Sequence, residues 1–127
     1  MEFVTLNNGV KMPKLGYGVY QVDPAECERC VLDAISVGYR SIDTAQAYNN
    51  EEGVGAAIAK CGVPREELFI TTKVWISNAG YEKAKASIDF CHNRKTFPVL
   101  NAFRYLLVIN HHDGYHQKHA AKKQSEK

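Results

Sequence analysis

Asp43, Tyr48 and Lys73 are the residues of this chain whose types and spacing invite chemistry. The run 38–55 places an acid at the end of a strand pattern and a tyrosine in the loop just after it, and Lys73 falls near the end of the next strand pattern. Neighbouring parallel strands lie about 4.8 Å apart, so a carboxylate and an ammonium at adjacent strand ends can meet. A phenol with a pKa of about 10 is a poor acid near neutrality, but a nearby ammonium stabilises its phenolate. With Asp43 keeping Lys73 charged and oriented, the set could make Tyr48 a general acid that hands a proton to a substrate oxygen. Carbonyl reduction needs that proton together with a hydride on carbon. No side chain supplies a hydride, so a nicotinamide cofactor would bring it. The plainer alternative is an Asp–Lys salt bridge beside a tyrosine that only packs, and spacing alone leaves both open.

The elements that must position these groups alternate. Residues 3–12 read as a β-hairpin around Asn7-Asn8-Gly9, since Asn-Gly tolerates positive φ. Residues 15–20 read as a short buried strand whose glycines allow close approach of a ligand or another backbone. Asp23 and Pro24 open a helix with apolar residues at Cys27, Cys30, Val31, Ala34, Ile35 and Val37, and Gly38 closes it. A strand over 39–43 follows, then a helix capped by Asn49 or Asn50, with Val54, Ala57 and Ile58 inward and Gly62 at its end. Residues 68–75 are rich in strand formers and 81–89 are helical in pattern. Strict alternation of strand and helix predicts an α/β fold with parallel strands, either an open doubly wound sheet or a (β/α)₈ barrel. The leading hairpin, which could plug the bottom of a barrel, favours the barrel. In both architectures functional residues gather at the C-terminal ends of the strands.

Composition narrows the function classes. At 127 residues, 45% of them hydrophobic and 24% charged, the chain reads as one soluble globular domain. No apolar run reaches the roughly 18 residues of a membrane helix, and the N-terminus has no secretory pattern. Four cysteines are sparse for a disulfide scaffold, so reduced thiols and a cytoplasmic location are the expectation. Charge is uneven: residues 1–89 hold nine Lys/Arg against twelve Asp/Glu, and residues 90–127 hold seven against two. All five histidines lie in the second part, which places a boundary near Asp89.

Residues 3–89 resemble the N-terminal part of an aldo-keto reductase. The blocks that carry the likeness are residues 6–13, residues 16–20, the run 38–55 and residues 64–75, in the family's order. The resemblance implies a TIM barrel that uses NADPH or NADH to reduce small aldehydes, dicarbonyls or keto-acids. It implies Tyr48 as proton donor, Lys73 as the group that lowers its pKa, and Asp43 as Lys73's partner and a contact of the cofactor. Val19, Tyr20 and Trp75 would line the nicotinamide and substrate pocket, with Val19, Tyr20 and Asp43 at the cofactor and Tyr20 and Trp75 at the substrate.

Residues 90–127 do not follow the family. A full barrel takes roughly 200 residues or more, so the expectation is a partial barrel of about three βα units from a truncated or frameshifted reductase, with a divergent basic, His-rich tail. The pattern from Phe90 to Pro98 does not continue a helix. Residues 106–111 could form a fourth strand, with Asn110 or His111 near the place of the family's histidine, although a chance match is the preferred reading. His112, His116 and His119 share a helical face that could hold a metal, but Asp113-Gly114 marks a turn beside it and no metal site is expected. The basic end carries no nucleic-acid motif, so neither nucleic acid nor membrane is expected as a partner. The second function class is a non-catalytic partial barrel acting by self-association through open sheet edges, or by binding a full-length relative.

Overall fold

The computed structural model describes residues 1–93 and 105–109, with side chains up to Asp89. Strands β1 (Phe3–Thr5) and β2 (Lys11–Pro13) form an antiparallel hairpin in which Phe3 faces Pro13. The turn is the expected one: Leu6 and Val10 pair, and Gly9 sits at φ 81°, the left-handed position such three-residue loops require.

The remaining strands build one parallel sheet in the order β3 (Tyr17–Gly18), β4 (Ser41–Asp43), β5 (Phe69–Val74) and β6 (Tyr105–Ile109). Helices α1 (Pro24–Ser36), α2 (Glu51–Lys60) and α3 (Tyr81–Asn93) connect them in turn. Sequential strand order without a reversal is the order of a closed barrel, whereas a doubly wound sheet reverses at its switch point. The chain is a partial (β/α)₈ barrel preceded by a hairpin.

Two local readings change, and one left open is borne out with shifted bounds. The strand expected over 15–20 shrinks to Tyr17–Gly18, because glycines flank and end it and Gln21 turns the chain at φ 60°. Helix α3 continues to Asn93 rather than stopping at Asp89; neither glycine nor proline interrupts the chain between Tyr81 and Asn93, so nothing breaks the helix there. Residues 105–109 form a fourth parallel strand, pairing Thr72 with Leu107 and Val74 with Ile109. Asn110, His111 and the other histidines of the tail, His112, His116 and His119, lie outside the described residues.

Register divides the sheet into two faces. Tyr17, Ile42 and Ile70 align, as do Gly18, Asp43 and Thr71. Ile42 and Ile70 lie fully buried against the helices with Val31, Ile35, Val54, Ala57 and Leu68. Asp43 and Lys73 therefore project from the opposite face, the one that becomes the interior of a barrel. Helix α1 begins as its sequence dictates: Asp23 Oδ1 accepts from the Ala25 N–H at 2.8 Å, Pro24 fills the first turn, and Gly38 at φ 106° ends the element.

Helices α1 and α2 approach closely at Gly53. A Cβ there would lie 2.8 Å from Cys27 Cβ and 3.1 Å from the Glu28 backbone nitrogen. Alanine is normally the better helix former by about 0.5–1 kcal/mol, but here the overlap must move one helix off the other. Gly53→Ala should lower the unfolding free energy by about 1–3 kcal/mol, read from the urea midpoint; an unchanged or raised midpoint would contradict the contact.

Candidate active site

Lys73 stands at the penultimate position of β5 and Asp43 at the last position of β4. The ammonium Nζ donates to Asp43 Oδ2 at 2.6 Å, to the Thr44 carbonyl at 3.0 Å and to the Tyr48 hydroxyl oxygen at 3.5 Å. It also lies 5.1 Å from the centre of the Tyr48 ring, within range of a cation–π attraction. The Lys73 side chain is 17% exposed while that of Asp43 is 44% exposed, so the ammonium is held from below and the carboxylate keeps an open side. A lysine has three N–H donors and no acceptor. Its partners here use all three, and Tyr48 can meet it only as the acceptor.

Tyr48 reaches this point from a 3-10 turn, Gln46–Tyr48, that follows β4. The Tyr48 N–H donates to the Ala45 carbonyl at 2.9 Å. Asn49 then adopts φ 54°, a conformation that asparagine accepts more readily than most residues. Asn50 occupies the N-cap position of α2 but makes no capping bond with its side chain. Fully buried, its Nδ2 donates to the carbonyls of Val19 and Val22 at 2.9 and 3.1 Å, and its Oδ1 accepts from Thr44 Oγ1 at 3.0 Å. The capping role expected of Asn49 or Asn50 gives way to a cross-link between the β3 and β4 loops. The cap gives way to bonds that satisfy the Thr44 hydroxyl and the Val22 carbonyl and add a second donor to the Val19 carbonyl, which also accepts from the Val22 N–H at 3.2 Å.

Of the residues expected to line the pocket, Tyr20 lies against Tyr48 with ring centres 5.1 Å apart, and Tyr20 is widely exposed. Trp75 is half-buried just past β5, and its backbone N–H donates to Gln46 Oε1 at 3.0 Å. Val19, expected at the cofactor, is turned wholly into the core. Its N–H donates to the Asp43 carbonyl at 3.0 Å, and its own carbonyl accepts from Asn50 Nδ2 and from the Val22 N–H. Sequence reasoning missed Gln46 and the buried role of Asn50. Both are polar residues in a loop, and their composition carries no sign of which backbone groups they reach.

Glu51, in the first turn of α2, accepts from Thr72 Oγ1 at 2.5 Å. Burial pushes its carboxyl above the usual range, and the Thr72 bond works in the other direction. Among the described residues no group of three or more His, Cys, Asp or Glu could hold a metal ion. No helix among them is long and apolar enough to cross a membrane.

The ammonium, the carboxylate and the phenol gather at the C-terminal end of a parallel βα sheet, the end at which (β/α)₈ barrels carry their functional residues. The profile of the Aldo/keto reductase family matches residues 6–99, and the chain belongs to that family. It is 55% identical over 87 residues to a 9,11-endoperoxide prostaglandin H2 reductase of Trypanosoma cruzi (strain CL Brener), covering 68% of this chain and 31% of that one. It is 54% identical over 103 residues to a glyoxal reductase of Bacillus subtilis (strain 168), covering 80% and 37%. A solved aldo/keto reductase from Brucella melitensis superposes with a TM-score of 0.70 at 45% identity, over 75% of this chain and 37% of that structure. The chain thus spans about a third of the length of the curated relatives it matches.

Two stability predictions test how the loop is held. Asn50→Ala takes the amide from the Thr44 hydroxyl and the Val22 carbonyl, leaves the Val19 carbonyl with the Val22 N–H alone, and should cost about 1–3 kcal/mol. Asn50→Asp, which keeps the shape but loses both donors, should be no better; urea titration reads both, and a cost within error of zero would deny the cross-link. Glu51 titrates higher folded than unfolded, so its contribution to stability is full below the unfolded value and is lost as pH rises through the folded one. At pH 7 the buried charge is a burden. Glu51→Gln, which keeps an acceptor for Thr72, should raise the urea midpoint at pH 7, with the gain vanishing as pH falls below about 4.3. A glutamine variant less stable at pH 7 would contradict this sign.

Proposed function

We propose that the site reduces the carbonyl of a small aldehyde or ketone, with Tyr48 as the proton donor. The observation that carries this reading is the direction of one hydrogen bond. Lys73 has no acceptor, so the Tyr48 oxygen accepts from it, and the phenolic proton is left to point away from Lys73. A substrate oxygen seated on that side receives it. As the proton leaves, negative charge develops on the phenol oxygen, and the adjacent ammonium stabilises that charge. Asp43 and the Thr44 carbonyl keep the ammonium in place while this happens.

The residues present suit a nicotinamide cofactor, NADPH or NADH. A Cβ built on Gly18, which pairs with Asp43 across the sheet, meets nothing within 4 Å. There is therefore open space beside a carboxylate whose side chain is 44% exposed and able to accept from an amide or a hydroxyl. Asp43 and Tyr20 are the residues that would border the bound group, which supplies a hydride. The exposed Tyr20 ring against Tyr48 provides an aromatic wall for the reacting pair.

NADPH and NADH binding can be followed by fluorescence, and their oxidation by absorbance in the presence of a small aldehyde. Tyr48→Phe should retain cofactor binding and lose roughly 10²–10⁴-fold in rate, and Lys73→Met should also be slow. Aldehyde-dependent oxidation that survives unchanged in Tyr48→Phe, or that is absent from the wild-type chain, would overturn the proposal.

A further inference from the structure

Gln46 lies two residues before Tyr48, within the turn that carries the phenol. Its Oε1 accepts from the backbone N–H of Trp75 at 3.0 Å, and its Nε2 donates to Ser87 Oγ at 2.5 Å. One amide thus joins three pieces: the turn after β4, the loop after β5 and helix α3. The backbone does not make this connection. Pairing between β4 and β5 ends at Asp43 and Thr71, and one more bond, from the Thr44 N–H to the Thr71 carbonyl at 2.8 Å, closes the ladder. Beyond it, side chains reach across: Lys73 to Asp43 and Thr44, Thr72 to Glu51, and Gln46 to the Trp75 loop. Ser87 is buried, and its hydroxyl oxygen accepts from this amide. The same side chain borders a cleft of about 800 Å³ walled by the turn after β4, the start of α2, Asn78 and helix α3, with Glu51 and Lys83 facing it.

We propose that Gln46 is a positioning residue that holds the Trp75 loop at a fixed distance from the Tyr48 turn, and so sets the width of the mouth that admits the carbonyl substrate. This rests on the carbonyl-reducing role assigned above and deepens it: Gln46 touches neither substrate nor cofactor and selects small carbonyl compounds over bulky ones. Loss of the amide lets the Trp75 loop drift, which weakens the grip on a small aldehyde and relaxes discrimination against one bearing a phenyl ring. The Tyr48–Lys73–Asp43 contacts are not part of this linkage, so binding suffers more than turnover.

Trp75 is the sole tryptophan of the chain, and its emission reports the loop whether or not the protein is active. Gln46→Leu keeps the bulk and removes the bonds to Trp75 and Ser87. Gln46→Glu keeps an acceptor for Trp75 and accepts from Ser87, whose hydroxyl can rotate to donate. Gln46→Leu should shift Trp75 emission to the red and increase its quenching by acrylamide in the native state, and Gln46→Glu should restore wild-type values. In the reductase assay, Gln46→Leu should raise KM for a small aldehyde roughly three- to tenfold, more than it lowers kcat, and narrow the gap to a phenyl-bearing aldehyde. Wild-type emission and quenching in Gln46→Leu would overturn the proposal, as would a fall in kcat with KM unchanged. Should Gln46→Leu fail to fold, Ser87→Ala takes its place: a red shift supports the linkage and wild-type emission overturns it. A wild-type chain without reductase activity defeats the proposed function, and the fluorescence result still decides the role of Gln46 in holding the loop.

Discussion

Everything at the mouth of this sheet depends on where the Lys73 ammonium can go. A flexible four-carbon stem would ordinarily carry that charge into water. Here the stem is largely covered and the ammonium meets a carboxylate, a carbonyl and a phenol oxygen. The strand register makes this possible: Asp43 lies opposite Thr71, and Lys73 is two residues further along the same face. A shift of one residue in that pairing would send Lys73 to the helix side, among Ile42 and Ile70, where a charge has no place.

The phenol comes to the ammonium through a loop fixed from three directions. Asn50 ties its end to the loop after β3, Glu51 ties the start of α2 to Thr72, and Gln46 ties its beginning to Trp75 and Ser87. None of these bonds performs chemistry. Each satisfies a buried or half-buried polar group: the Asn50 and Glu51 bonds leave the turn little freedom, as a proton donor requires, and the Gln46 bonds set where the Trp75 loop stands against it. The closely packed α1 and α2, meeting at Gly53 and Cys27, provide the rigid base from which that turn projects.

How much of this was legible in the sequence follows from the range of each signal. The hairpin, the opening of α1 and the ends of α1 and α2 are local events, and Asn7-Asn8-Gly9, Asp23-Pro24, Gly38 and Gly62 announce them. The convergence of Asp43, Tyr48 and Lys73 was readable because parallel strands bring residues at their C-terminal ends to one side. The partners of Asn50 and Gln46 were not readable. They are decided by where carbonyls and N–H groups of distant loops fall, and an asparagine before a helix looks like a cap until the fold gives its amide something else to satisfy. Val19 shows a different limit: an apolar residue beside the site gives no sign in the sequence that the core will take its side chain. Strand β6 was ambiguous because an apolar run shows its strand character more clearly than its partner.

The central claim is that the Tyr48 hydroxyl, held by Lys73 on one side, gives its proton to a substrate oxygen on the other. A crystal structure with NADPH and an unreactive amide analogue of a small aldehyde measures this most directly. The account predicts the analogue's carbonyl oxygen within about 2.6–3.2 Å of the Tyr48 hydroxyl, with Lys73 still on Asp43. An analogue bound with its oxygen beyond reach of Tyr48, or a Lys73 that has left Asp43 for another partner, would contradict it.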